Sequence, residues 1–165
     1  MNTVFLDTVG LLATWDQSDQ WHRAAINGLQ RIQSANTPTV TTTFVLLECG
    51  NAAARRPYRL AVNRLRVVME DASCLIRPSA EDWDNAWQGY VRGDASGAGI
   101  VDHVSFAVMR RLGITQVFSN DRHFSAAGFE LLFGRPAEEG VVAGAAARAL
   151  DADQRIDAAE AVARG

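Results

Sequence analysis

The chain has 165 residues, 48% apolar and 21% charged, which is ordinary for one soluble globular domain with a real core. Its net charge of −3 excludes a general polyanion binder. No apolar run approaches the roughly 20 residues of a membrane span, and the N-terminus lacks the regions of a signal peptide, so a cytoplasmic protein is expected.

Residues 3–6, T-V-F-L, read as a short buried strand. Thr8 is a candidate cap for the helix G-L-L-A-T-W-D that follows. Over 18–34, Trp21, Ala24, Ala25, Ile26, Leu29 and Ile32 recur at helical spacing, with Ser18 as the expected N-cap. Residues 38–42 form a β-branched second strand, and 43–56 a helix stopped by Pro57. A helix over 58–70 and a third strand over 74–77, closed by Pro78, come next. Ser79 caps a helix over 80–91, with Glu81 and Asp82 in its first turn, where the helix dipole favours acids. The loop 93–99, G-D-A-S-G-A-G, lacks the spacing and lysine of a phosphate-cradling Walker motif. A helix over 101–112 ends at Gly113. The fourth and fifth strands are expected over 114–119 and 129–133, joined through the turn N-D-R-H-F.

This alternation predicts an α/β fold, a three-layer α/β/α sandwich around a mostly parallel sheet. The body spans 1–133. Residues 134–165 form an alanine-rich extension, expected to be helical or partly disordered. Cys49 and Cys74 lack metal-ligand spacing and read as buried, reduced thiols.

Four acids carry the chemistry: Asp7 after V-F-L, Glu48 in F-V-L-L-E-C-G-N, Asp102 in G-I-V-D-H-V, and Asp121 in V-F-S-N-D-R-H-F. Carboxylates in apolar surroundings are costly without a compensating cation. If the runs before Asp7 and Asp121 are parallel strands, both acids emerge at the sheet edge where open α/β folds bind ligands. Four gathered carboxylates repel, and a hard divalent ion, Mg²⁺ or Mn²⁺, resolves the repulsion. Taken singly, Asp7, Asp102 and Asp121 read equally well as helix caps or turn residues. Glu48 sits mid-helix among apolar residues and needs a partner. Thr8 and Ser119 are secondary candidates, as caps or as donors to an acid or to metal-bound water. Asn51, one turn after Glu48, is placed to orient it. Asp94 in the glycine-rich loop is a further candidate.

His103 and His123 each neighbour one of these acids and read as packed histidines, and His22 beside Trp21 as structural. Trp15, Trp21, Trp83 and Trp87 read as helix packing rather than base stacking. All sixteen basic residues are arginine, whose planar fork suits phosphate. Arg55, Arg56 and Arg59 follow Glu48 by roughly 10–17 Å along a helix axis, a reach suited to phosphates flanking a cleaved one. Arg122 and Arg110 are also expected near phosphate.

The strand ending in L-D-T, the helix segment E-C-G-N, the segment I-V-D-H-V-S-F-A-V-M-R-R-L-G-I and the closing V-F-S-N-D-R-H-F-x-x-x-G-F together resemble the PIN-domain family of metal-dependent nucleases. The likeness is nearest to its VapC-like toxin branch and covers about residues 3–133. It implies that Asp7, Glu48, Asp102 and Asp121 form a catalytic metal-binding quartet. That quartet would hold one or two Mg²⁺ or Mn²⁺ ions and cleave RNA phosphodiesters. It also implies a toxin–antitoxin pair, a small antitoxin partner and a homodimer. The loop before Asp102 is richer in glycine than the charged loop of the family. A non-catalytic PIN-like module binding RNA or protein is the alternative, and the filled acidic positions speak against it. A haloacid-dehalogenase-type phosphohydrolase needs a second Asp two residues after the first, where this chain has Val9.

Overall fold

Val4, Phe5 and Leu6 are almost fully buried, as a strand covered by helices on both faces must be. They form β1 at the centre of a five-stranded, all-parallel sheet. The structure, a computed structural model, describes residues 3–134. In chain order the elements are β1 Val4–Leu6, α1 Thr8–Trp15, α2 His22–Ser34, β2 Thr39–Thr42, α3 Thr43–Ala53 and α4 Arg59–Asp71. Then follow β3 Leu75–Ile76, α5 Ala80–Arg92, α6 Ile100–Leu112, β4 Gln116–Phe118, α7 Arg122–Ala126 and β5 Glu130–Leu131. The strand order is β3-β2-β1-β4-β5, so the chain reverses its direction of winding between β1 and β4. Ligands of open α/β sheets bind at the C-terminal strand ends beside such a reversal. Asp7 and Ser119 directly follow those two strands.

The α/β sandwich expected from the sequence is present. The extension 134–165 lies, beyond Gly134, outside the described residues. Several local expectations need correction. Asp7, not Thr8, caps α1, and its side chain accepts the Val9 N–H. Ser18 caps nothing: its backbone N–H and its hydroxyl bond Asp16 Oδ1 at 3.0 and 2.6 Å, and α2 begins only at His22. The Asp16–Asp19 segment is a turn held by short polar side chains, which compete with helix for the same backbone groups. Helix α3 ends at Ala53, ahead of the expected Arg56, and the chain turns before Pro57, with the Ala54 N–H on the Asn51 carbonyl and the Arg56 N–H on the Ala53 carbonyl. The turn after β4 contains a short helix, α7.

Two glycines set how closely elements approach the site. A Cβ on Gly10 would lie 2.1 Å from the Phe118 carbonyl oxygen, so only glycine lets α1 rest on the end of β4. A Cβ on Gly89 would meet His103 Nδ1 at 2.8 Å. Helix α5 therefore faces α6 with Asp82, Ala86 and Gly89, all buried. Burial pushes the Asp82 carboxyl up, but the Arg111 and Ser79 hydrogen bonds outweigh it and leave it below its usual range. Arg111 grips both oxygens, Nε to Oδ1 at 2.9 Å and Nη2 to Oδ2 at 2.8 Å. Small residues thus occupy the inner stripe, and the large ones are turned out. Trp83 and Trp87, expected as core, are 42% and 39% exposed.

Candidate active site

Asp7 is 3% exposed and sits where β1 meets α1. Its Oδ2 accepts from Ser119 Oγ at 2.8 Å and from Val9 N at 3.2 Å. Ser119 Oγ also accepts the Asp121 N–H at 3.1 Å, which ties the ends of β1 and β4 together. Burial pushes the Asp7 carboxyl up to about 7, against the Ser119 hydrogen bond, and the Asp102 charge adds to the rise.

Asp102 lies in the first turn of α6, where Gly99 is the N-cap, and its Oδ2 accepts the Gly99 N–H at 2.8 Å. Burial raises its carboxyl, the Gly99 N–H opposes this, and the charges of Asp121 and Glu48 raise it further. Asp121 caps α7 through Oδ1 to His123 N at 2.9 Å. Three of the four acids therefore do local backbone work as well. A capping role and a ligand role are compatible, because each carboxylate has about four acceptor sites. The positive ends of α1 and α6 face the same edge and offset part of the gathered charge.

Glu48, although flanked by apolar residues, is exposed on α3. Its partner is Thr8, whose hydroxyl donates to Oε2 at 2.6 Å across 40 residues of sequence. Cys49 next to it is fully buried, and burial together with the charges of Asp7 and Glu48 raises its thiol. The four acids thus form one electrostatic set with Asp102 at its centre, coupled to Asp7, Asp121 and Glu48.

His123 was expected to pack against the fold, and the structure places it at this edge instead. Single ligand atoms of Asp102, Asp121 and His123 all lie within 4.8 Å of one another. The D-x-H spacing was visible in the sequence, but only α7 turns it toward the acids. The donor set and the poorly compensated charge on Asp7 fit a divalent cation.

Other candidates are not gathered here. Asp94 pairs with Arg92 at 2.7 Å and is influenced by His103 and Arg110, none of them in the quartet. Asn51 is exposed, and Glu48 takes its hydrogen bond from Thr8 instead. Because α3 stops at Ala53, Arg55 and Arg56 do not continue its axis. Arg56 acts on Asp16, and Arg59 borders a groove between α3 and α4. Arg110 lies over the rings of Phe106 and Phe129, at 5.9 and 5.6 Å. Arg122 is exposed beside Asp121 at the start of α7. His103 is packed as expected, 4% exposed between Tyr90 and Phe106, and His22 is held by the Ala13 carbonyl.

A sequence model of the PIN domain matches residues 4–130. The chain belongs to the PIN-domain family. Among PIN proteins, the 23S rRNA-specific endonuclease VapC20 of two Mycobacterium tuberculosis strains, CDC 1551 / Oshkosh and H37Rv, is 33% identical over 128 residues. The match covers 76% of this chain and 95% of the relative. The crystal structure of Mycobacterium tuberculosis VapC20, described as a Sarcin-Ricin loop cleaving toxin, superposes with a TM-score of 0.65 at 30% identity. It covers the same shares, 76% of this chain and 95% of that one. This PIN domain is a metal-dependent endoribonuclease of the toxin type.

Proposed function

We propose that Asp7, Glu48, Asp102 and Asp121 hold a divalent cation, Mg²⁺ or Mn²⁺, and that the toxin cuts ribosomal RNA in the cytoplasm. The observation that carries this reading is the gathering of acids at the sheet reversal: ligand atoms of Asp102 and Asp121 lie within 4.8 Å of each other, Ser119 ties Asp7 to Asp121, and Thr8, next to Asp7, holds Glu48. When bound, the ion supplies a coordinated water of lowered pKa and offsets charge at the attacked phosphorus. The chain's own residues hold the geometry. Ser119 fixes the Asp7 carboxylate and the Asp121 backbone with one hydroxyl, and Thr8 fixes Glu48. Asp94 and Asn51 take at most an indirect part, through water or RNA. The likeness to VapC20 supports ribosomal RNA as the substrate class. Purified protein is expected to cut 23S rRNA at few positions, and Asp102→Asn to cut none. Binding of RNA without new 5′ ends would favour the non-catalytic module instead.

We assign the grip on RNA to Arg122, exposed beside Asp121, and, away from the acids, to the exposed Arg55, Arg56 and Arg59 beyond the end of α3. Replacing Arg55, Arg56 and Arg59 by Ala is expected to weaken binding of a non-cleavable RNA. Its log–log salt slope should drop by roughly 2, at about 0.7 per lost phosphate contact on single strands. An identical slope in mutant and parent would end the phosphate-grip idea.

The toxin reading brings two protein partners. Phe44, Trp83, Trp87 and Tyr90 form a ladder of ring contacts, 5.5 to 5.8 Å apart, along the outer side of α5. Val91 beside them is 80% exposed. Such a patch supports a homodimer. Trp87→Glu is expected to shift the protein to monomer in analytical ultracentrifugation, and an unchanged sedimentation coefficient would remove this face from the dimer. A groove of about 390 Å³ between α3 and α4, lined by Leu46, Leu47, Val62 and Leu75, supports a small antitoxin seated on the helix that carries Glu48. No helix among the described residues is long and apolar enough to cross a membrane.

A further inference from the structure

We infer that His123 is a nitrogen ligand to the cation held by Asp102 and Asp121, and that it makes the site select Mn²⁺ over Mg²⁺. This rests on the metal-bound nuclease reading above and deepens it.

The argument begins with α7. Asp121 caps this helix, and the cap places His123 in its first turn. One oxygen, Asp121 Oδ1, accepts the His123 backbone N–H at 2.9 Å. The ring atom Nδ1 lies at the same distance from that oxygen, 2.9 Å. That approach is not aligned as a hydrogen bond: Nδ1 is closed to solvent and has no hydrogen-bond partner. A buried polar atom in this state requires an explanation. An ion pair with Asp121 does not supply one, because it would aim an N–H at the oxygen. A cation between the ring and the carboxylates does supply one, because it takes the nitrogen lone pair and the oxygen lone pairs together.

The spacing agrees. One atom each from Asp102, Asp121 and His123 falls within 4.8 Å of the others. Bonds of about 2.1 Å in an octahedron put neighbouring ligands about 3 Å apart and opposite ones about 4.2 Å apart. The donor set then decides the ion. Mg²⁺ is hard, prefers oxygen and sheds water reluctantly. Imidazole nitrogen favours transition ions, whereas carboxylates suit Mg²⁺ and Mn²⁺ alike. Of Mg²⁺ and Mn²⁺, the transition ion Mn²⁺ is the one that takes an imidazole nitrogen beside carboxylate oxygens more readily.

The test uses full-length protein loaded with Mn²⁺. Pulsed electron paramagnetic resonance should show coupling to a directly bound ¹⁴N in the parent, and ¹⁵N-histidine labelling should change it. In His123→Ala the coupling should vanish. Calorimetry should show Mn²⁺ affinity falling by at least the roughly tenfold that even outer partners of a metal site cost. Mg²⁺ affinity should stay unchanged. The spectrum of the parent alone keeps the test decisive if the variant folds poorly. Mn²⁺ binding without nitrogen coupling, or equal losses for both ions, overturns the role of His123 and leaves the carboxylate site standing. Binding of neither ion by the parent overturns both readings together.

Discussion

Asp7→Asn is expected to abolish RNA cleavage while raising the melting temperature of the metal-free protein. The two effects share one cause. Asp7 is buried, and its carboxyl is pushed up to about 7, first by burial and then by the charge of Asp102. The folded chain therefore holds this proton more tightly than the unfolded chain does. Below a pH of about 4 both states are protonated and nothing is lost. As pH rises from there to about 7, the unfolded carboxylate ionises first and stability falls; above about 7 the full penalty applies. At 1.36 kcal/mol per pKa unit, it is on the order of 4 kcal/mol. Asparagine removes the charge and keeps an amide oxygen for the Val9 N–H. Cleavage should fall by about a thousandfold or more, because activation of a metal-bound water is lost. Asp102→Asn should abolish cleavage likewise. Melts at pH 8 and a cleavage assay on the same preparations test the pair. Cleavage retained by both variants would remove these acids from the catalytic site.

Removing divalent ions should stop cleavage, and adding Mg²⁺ or Mn²⁺ should restore it together with stability. An ion that binds only the folded state stabilises it by about 2.7 kcal/mol at a hundred times its dissociation constant. For a chain of this size that is a rise of about 5–10 °C in melting temperature. The size of the rise should depend on pH. A cation must displace the Asp7 proton, so the gain is small at about pH 5 and largest at about pH 8. Thermal melts with and without ion across that range provide the measurement. A rise that does not grow with pH would mean that the ion binds away from Asp7. Full activity in chelator would contradict the metal-dependent mechanism itself.

The sequence by itself marked most of the elements and named the four acids as candidates. Short apolar runs, the Ser79 cap and the left-handed Gly113 are signals written in adjacent residues. They act through local sterics and local hydrogen bonds, and such signals survive without a tertiary context. The alternation of strand and helix followed from them, and with it the sheet edge that gathers Asp7 and Asp121. Tertiary structure decided what each side chain faces. Trp83 and Trp87 share a helical stripe with Tyr90 and Val91, and nothing local says whether that stripe or Asp82, Ala86 and Gly89 turns inward. The close approach of α6, with His103 against Gly89, selected the small stripe. The reach from Glu48 to Arg55 and Arg56 was lost because α3 stops at Ala53. The bonds from Thr8 to Glu48 and from Ser119 to Asp7 span 40 and 112 residues, and they exist only because β1 lies between β2 and β4. His123 reaches the acids for the same reason: a short helix at the end of β4 turns its ring toward a site whose other members come from distant segments. Helix and strand follow from neighbours along the chain, whereas the composition of the site follows from neighbours across it.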